Sequence, residues 1–190
     1  MSKPRCILEK QSLLLTRRCI GQLLLLRPSE ETNRIILYLL AIATQRYNIS
    51  LHAAVVMSNH FHLVVTDNDG QLPAFMGYLN EFIAKCINAL LNRWEYVFTQ
   101  GSYSAVALTD ASAMLDKIAY TLVNPVDALL VEQHKQWPGI CLGPADAHAP
   151  ITVSRPTVFF RENGTMPAEA TLTLQPVPAS FIAEMPDFNA

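Results

Sequence analysis

The chain predicts an α+β domain in which helices lie against an antiparallel sheet, and three observations carry that prediction. Two apolar extended runs, 50–57 and 60–66, are separated by Ser58 and Asn59 alone, the length of a tight hairpin turn. A stripe of apolar residues at helical spacing follows at once, from Leu72 to Trp94. Around this unit the segments run strand, helix, strand, strand, helix, strand, helix. That order is ferredoxin-like or RRM-like, β-α-β-β-α-β-α.

The first strand is expected over Q-S-L-L-L-T-R, 11–17, with a loop through Arg18 and Gly21. Pro28-Ser29-Glu30-Glu31 opens a helix, because the Ser29 hydroxyl suits an N-cap and the two carboxylates sit where the helix dipole favours negative charge. Ile36, Leu39, Leu40, Ala43 and Tyr47 keep helical spacing to about residue 47. The period then drops to two through the hairpin, whose turn suits Asn59, since asparagine tolerates positive φ. D-N-D-G at 67–70 closes the pair, and Pro73 is tolerated in the first turn of the next helix. A fourth strand is expected over Tyr103–Leu108. Thr109 or Asp110 then caps a third helix that ends near Asn124-Pro125, as the residue before proline is biased out of the helical region. After Leu142 prolines crowd in and periodicity fades, leaving I-T-V-S-R-P-T-V-F-F and T-L-T-L as short strand-like runs. The expected organisation is a folded domain over 1–142 and a proline-rich arm over 143–190 that packs along the domain or reaches a partner.

Composition narrows the function. The formal charge of −2 argues against a nucleic-acid partner if charge is spread evenly, since neutralising phosphates takes clustered Lys and Arg. It is not spread evenly: through residue 50 there are eight basic residues against three acidic ones, Glu9, Glu30 and Glu31. Cys6, Cys19, Cys86 and Cys141 show no C-x-x-C spacing, which speaks against a zinc knuckle and a disulfide framework. The longest apolar run, 35–43, is far short of the roughly 20 residues a membrane span needs. No signal-peptide pattern opens the chain. A cytoplasmic protein with no membrane partner is expected.

The stretch V-V-M-S-N-H-F-H-L-V-V, 55–65, sets two histidines into an apolar hairpin. Alternation puts His60, His62 and Val64 on one face and Phe61, Leu63 and Val65 on the other, which is the natural core face. The two imidazoles are then neighbours, roughly 6 to 7 Å apart by strand rise. They read either as half-exposed strand histidines or as two ligands of one metal ion. The third helix offers further groups. Its apolar stripe is Ala111, Met114, Leu115, Ile118 and Leu122, so that Tyr120 and Asn124, one turn apart, fall nearly opposite it beside Asp116 and Lys117. By themselves Tyr120 reads equally as a surface tyrosine and Asn124 as a helix stop before proline.

Together, M-S-N-H-F-H-L-V-V at 57–65 and Y-T-L-V-N-P-V-D-A-L-L-V at 120–131, with W-P-G at 137–139 as a weaker third segment, resemble the HUH-endonuclease single-strand DNA transposases, in particular the REP-associated tyrosine transposases. The resemblance spans roughly residues 10–142 and leaves out the arm. It implies that His60 and His62 are metal ligands, that Asn124 helps hold the metal, and that Tyr120 is the attacking nucleophile. It implies a divalent metal, Mg or Mn, although two nitrogens and one oxygen also suit Zn. It implies single-stranded or hairpin DNA as partner, cut through a 5′-phosphotyrosine intermediate that is rejoined without ATP. A free phenol has a pKa near 10, and the metal is the implied source of its activation. Arg17 and Arg18, from the basic N-terminal quarter, and Lys117 are the expected DNA-backbone contacts. The protein is expected to be a monomer or homodimer. Two departures from the family pattern stand out: Ser58 replaces a common proline in the turn, and F-T-Q-G-S-Y at 98–103 replaces W-x-x-R-Y, so that Ser102 stands where an arginine would contact phosphate. The alternative readings are a catalytically inactive or domesticated nucleic-acid-binding protein of the same fold, and a replication initiator or relaxase.

Overall fold

The computed structural model describes residues 8–101, 103–178 and 181. Lys3, Arg5, Cys6 and Ser102 therefore lie outside the described residues. Seven elements follow in the anticipated order: β1 (Gln11–Arg18), α1 (Glu30–Arg46), β2 (Ile49–Met57), β3 (His60–Asp67), α2 (Leu72–Leu91), β4 (Ser104–Leu108) and α3 (Ala111–Asp127). Three short strands complete the chain, β5 (Cys141–Leu142), β6 (Ile151–Ser154) and β7 (Glu169–Leu172). The main sheet has the order β4-β1-β3-β2-β5 and every pair is antiparallel. The α+β, ferredoxin-like expectation is met, with β5 added at one edge. The histidine-bearing β3 lies between β1 and β2, the most constrained position a strand can take.

Alternation along the strands sorts the core into two layers. Leu13, Leu15, Phe61, Leu63 and Val65 pack with α1 and α2 on one face, around Ile35, Leu39, Phe75 and Leu79. Leu14, Ala53 and Val64 form the other face and pack with Leu108, Met114 and Ile118. The third helix thus covers the face that carries the two histidines. Ser29 caps α1 as expected, its hydroxyl accepting from the Thr32 amide at 3.1 Å. Of the two candidate caps for α3, Asp110 takes the position and accepts from the Ala113 amide at 2.8 Å.

Three expectations are corrected. The helix over 72–91 stops before Trp94, because Asn92 adopts the left-handed conformation (φ 51°, ψ 52°) and the Arg93 amide turns back to the Asn88 carbonyl. Trp94 is therefore not on the apolar stripe and is 80% exposed. The third helix does not stop at Asn124-Pro125 but runs to Asp127. Pro125 forgoes one bond, while the Asn124 and Pro125 carbonyls accept from Ala128 and Leu130 and close the helix end. Finally, Thr121 and Pro125 are buried in place of Leu115, which is exposed. This turns the buried face by roughly 40° on the helical wheel. Asn124 consequently flanks the packed face, while Tyr120 stays on the outer side of the helix and is 40% exposed.

The W-P-G segment is a clasp. The Trp137 indole donates to the Val56 carbonyl at 3.0 Å, and the Asn33 side chain donates to the Pro138 carbonyl at 2.9 Å. A Cβ on Gly139 would lie 2.4 Å from Trp137 Nε1 and 3.0 Å from the Val56 oxygen. The described part of the arm packs along the domain: β6 and β7 pair and lie on α1, and Val153, Ala170, Leu172 and Leu174 join the first core layer. Tyr38 donates to the Pro167 carbonyl at 2.6 Å, and the Gln175 amide donates to the Leu51 carbonyl at 2.7 Å. No described helix is long and apolar enough to cross a membrane.

Candidate active site

The strand pairing builds the site. Register aligns Thr16 with His62 and Arg18 with His60, so these four side chains share the face that α3 covers. His62 is 4% exposed and its Nδ1 pairs with Thr16 Oγ1 at 2.8 Å. His60, at the mouth, donates from Nδ1 to Asn59 Oδ1 at 2.6 Å. The two rings meet edge to face with centroids 4.9 Å apart, closer than strand rise alone gives. With Nδ1 of each ring engaged, Nε2 is the nitrogen left for a ligand.

From the other side α3 brings Tyr120, whose ring centroid is 5.3 Å from that of His62. Asn124, one turn on, brings its side chain to the His60 imidazole, where it works to raise that group's pKa. Lys117, one turn back, sets its ammonium 5.6 Å from the Tyr120 ring centroid. Tyr120 is 40% exposed and lines a cleft of about 530 Å³ together with Thr16, Arg18, His62, Lys117 and Ser104.

The electrostatics keep both imidazoles neutral. Burial pushes His62 down to about 4, with the His60 ring and the Arg18 guanidinium adding to the effect. Burial and Arg18 also lower His60, against which the Asn124 side chain works. A neutral imidazole is the form that ligates metal. No group of three His, Cys, Asp or Glu side chains that could hold a metal occurs among the described residues. A metal at this site would therefore draw on His60, His62 and the Asn124 amide oxygen, a set of two nitrogens and one oxygen.

A solved structure of a REP-associated tyrosine transposase bound to a REP hairpin is similar to this chain with a TM-score of 0.61, at 14% identity, over 73% of this chain and 81% of that one. The chain has the REP-associated tyrosine transposase fold. A candidate transposase from Deinococcus radiodurans R1 is similar more loosely, with a TM-score of 0.45 at 18% identity, over 62% of this chain and 93% of that one. No family model matches the sequence, and no curated protein does.

Within this transposase fold the expected site residues do not all converge. His60, His62, Tyr120, Asn124, Arg18 and Lys117 come together. Arg17 reaches only the rim of that cleft: it pairs with Phe61 in register and so starts from the opposite face, where its Nη1 and Nη2 donate to the Gly101 and Thr99 carbonyls at 3.1 and 2.9 Å. Its guanidinium anchors the 99–101 loop. Two residues of the site escaped the sequence reading, Thr16 and the side chain of Asn59. Thr16 is signalled only by its place opposite His62 once β1 and β3 are paired, and Asn59 reads from the sequence as a turn residue.

Proposed function

We propose that the chain is a metal-dependent transposase that cuts and rejoins single-stranded, hairpin-containing DNA through Tyr120. One observation carries the reading: the rings of His60, His62 and Tyr120 adjoin in series, 4.9 and 5.3 Å apart, and His62 and Tyr120 line a cleft that also holds Arg18 and Lys117. The donor set fits a small divalent cation, Mg or Mn. When bound, such an ion supplies Lewis-acid stabilisation of the non-bridging phosphate oxygens.

The chain's own groups do the rest. Arg18 and Lys117 hold the phosphodiester backbone at the cleft by charge. Thr16 and Asn59 fix the two imidazole planes, which spares the reorganisation a free side chain would undergo. The Tyr120 oxygen attacks phosphorus, losing its proton to water, and the P–O3′ bond breaks with the departing 3′ oxygen taking up a proton. The strand is left as a 5′-phosphotyrosine with a free 3′-hydroxyl. One phosphodiester has been exchanged for another, so attack by a new 3′-hydroxyl reverses the step and joins ends.

The experiment is incubation with a labelled single-stranded hairpin, with Mn²⁺ present or chelated. A covalent adduct that requires the ion and vanishes in Tyr120→Phe is the expected result. A salt-sensitive complex with no adduct would instead identify a non-catalytic binding protein of the same fold.

A further inference from the structure

The sheet face that carries His60 and His62 has a second polar cluster at its other end. β2 and β3 keep register except between Leu51 and Ala53, where His52 is one residue too many and forms a bulge, a device that re-aims a side chain. Leu51 belongs to the first core layer and Ala53 to the second. The bulge turns His52 to the second face as well, where its Nε2 lies 2.8 Å from Thr66 Oγ1, itself 2.8 Å from Ser12 Oγ. On the other side of the ring, Nδ1 lies 3.0 Å from the Gln175 carbonyl. A carbonyl only accepts, so in the neutral ring Nδ1 carries the proton, Nε2 accepts from Thr66, and Thr66 accepts from Ser12. Burial holds the imidazole below its ordinary pKa, against which the Gln175 and Pro176 backbone works. Lys10, the one charged side chain among the described residues lining the adjoining cleft of about 490 Å³, offers an imidazolium no counter-charge.

Gln175 is where the tail passes from one layer to the other. Its amide donates to the Leu51 carbonyl at 2.7 Å and its carbonyl accepts from His52, so both of its backbone groups are tied to consecutive residues of β2. Leu174 lies in the first layer, whereas Val177 and Phe181 pack against the second, to which α3 contributes Met114 and Ile118. The Phe181 amide closes on the Pro178 carbonyl at 2.9 Å. Farther along α3, Leu122 rests on Gly143, where a Cβ would fall 2.8 Å from Leu122 Cδ1. The helix that bears Tyr120 is therefore met by two pieces of later chain as well as by the sheet. An aliphatic side chain would fill the bulge equally well. What the polar chain Ser12–Thr66–His52–Gln175 adds is register, because a buried network with every member satisfied specifies a single arrangement.

We propose that His52 is a positioning residue for the attack by Tyr120: it fixes where the tail crosses the sheet, and Val177 and Phe181 then seat α3 so that the Tyr120 ring meets His62. The proposal rests on the reading of Tyr120 as the nucleophile. His52 touches neither DNA nor the reacting atoms and acts through Gln175 and the two apolar side chains beyond it. A tail that slips on the sheet leaves α3 on a changed bed, and the 5.3 Å contact between the Tyr120 and His62 rings is the geometry that suffers.

The test uses the full chain as wild type, His52→Leu, His52→Asn and Phe181→Ala, each checked for folding by urea denaturation. Asparagine places an amide nitrogen where the imidazole Nδ1 sits, so His52→Asn keeps the donor to the Gln175 carbonyl and His52→Leu removes it. The first readout is the nuclear Overhauser effect between the ring protons of His62 and Tyr120, which needs neither DNA nor metal. Wild type and His52→Asn should show it, and His52→Leu and Phe181→Ala should lose most of it. Phe181 is half-buried, so Phe181→Ala keeps this readout where His52→Leu fails to fold. The second readout is the rate of adduct formation with a labelled single-stranded hairpin in Mn²⁺. It should fall by about tenfold to a hundredfold in His52→Leu and Phe181→Ala, the scale on which misplaced reacting groups lose rate, and recover in His52→Asn. Hairpin affinity, read by anisotropy and set by charges on the backbone, should stay unchanged in all four. An undiminished ring contact in His52→Leu and Phe181→Ala overturns the proposal, as does a His52→Asn protein that behaves like His52→Leu. A wild type that forms no adduct refutes Tyr120 as nucleophile, and the ring contact still decides whether His52 seats α3.

Discussion

Acidifying the metal-free protein should unfold it in a way that His62 dominates. The folded chain holds that imidazole down at about 4, and the unfolded chain returns it to its ordinary 6.5. As pH falls below 6.5 the unfolded state takes up a proton that the folded state refuses, so stability drops with pH through this window and levels off once both states are protonated, below about 4. Between pH 7 and pH 4.5 the linkage amounts to about 2 kcal/mol from this one residue. The assay is urea denaturation in chelator at the two pH values for the wild type and for His62→Gln, which removes the titrating group and subtracts the carboxylates common to both. The wild type should lose about 2 kcal/mol more than the variant over that interval. Equal losses would refute the argument that a neutral, buried imidazole faces α3.

Thr16→Val should keep the fold and weaken Mn²⁺ binding, measured by calorimetry, by roughly tenfold to a hundredfold, because the His62 ring loses the partner that orients it. Gly139→Ala should destabilise the protein by about 1 to 3 kcal/mol, read as a lower Tm, since the added carbon meets Trp137 and the Val56 carbonyl.

The order of the first seven elements was legible because each has its own local signal: a two-residue turn at Ser58-Asn59, the Ser29 cap, and a long stripe from Leu72. What stayed hidden depends on contacts remote in sequence. Leu115 reads as buried from spacing alone, yet the sheet under α3 is met by Thr121 and Pro125 instead. Arg17 and Arg18 look equivalent as neighbours, and only the register of β1 against β3 sends one toward the histidines and the other to the far side. The W-P-G tripeptide gives no hint of its hydrogen bond to Val56. Trp94 extends a helical pattern that a single left-handed Asn92 cuts short.

The arm beyond β5 is wired into both layers. It spreads Val153, Ala170, Leu172 and Leu174 over α1, gives Leu51 a backbone donor, and accepts from the buried His52 at the Gln175 carbonyl, 3.0 Å away. Peeling it off would wet those four side chains at about 1 to 3 kcal/mol for each of the larger ones and strand an imidazole that is almost wholly enclosed. Through Gln175 the chain is a poor tether for fishing partners out of solution. It behaves as the lacing of the domain, and a version of the chain cut after residue 142 would be expected to come undone along α1 first.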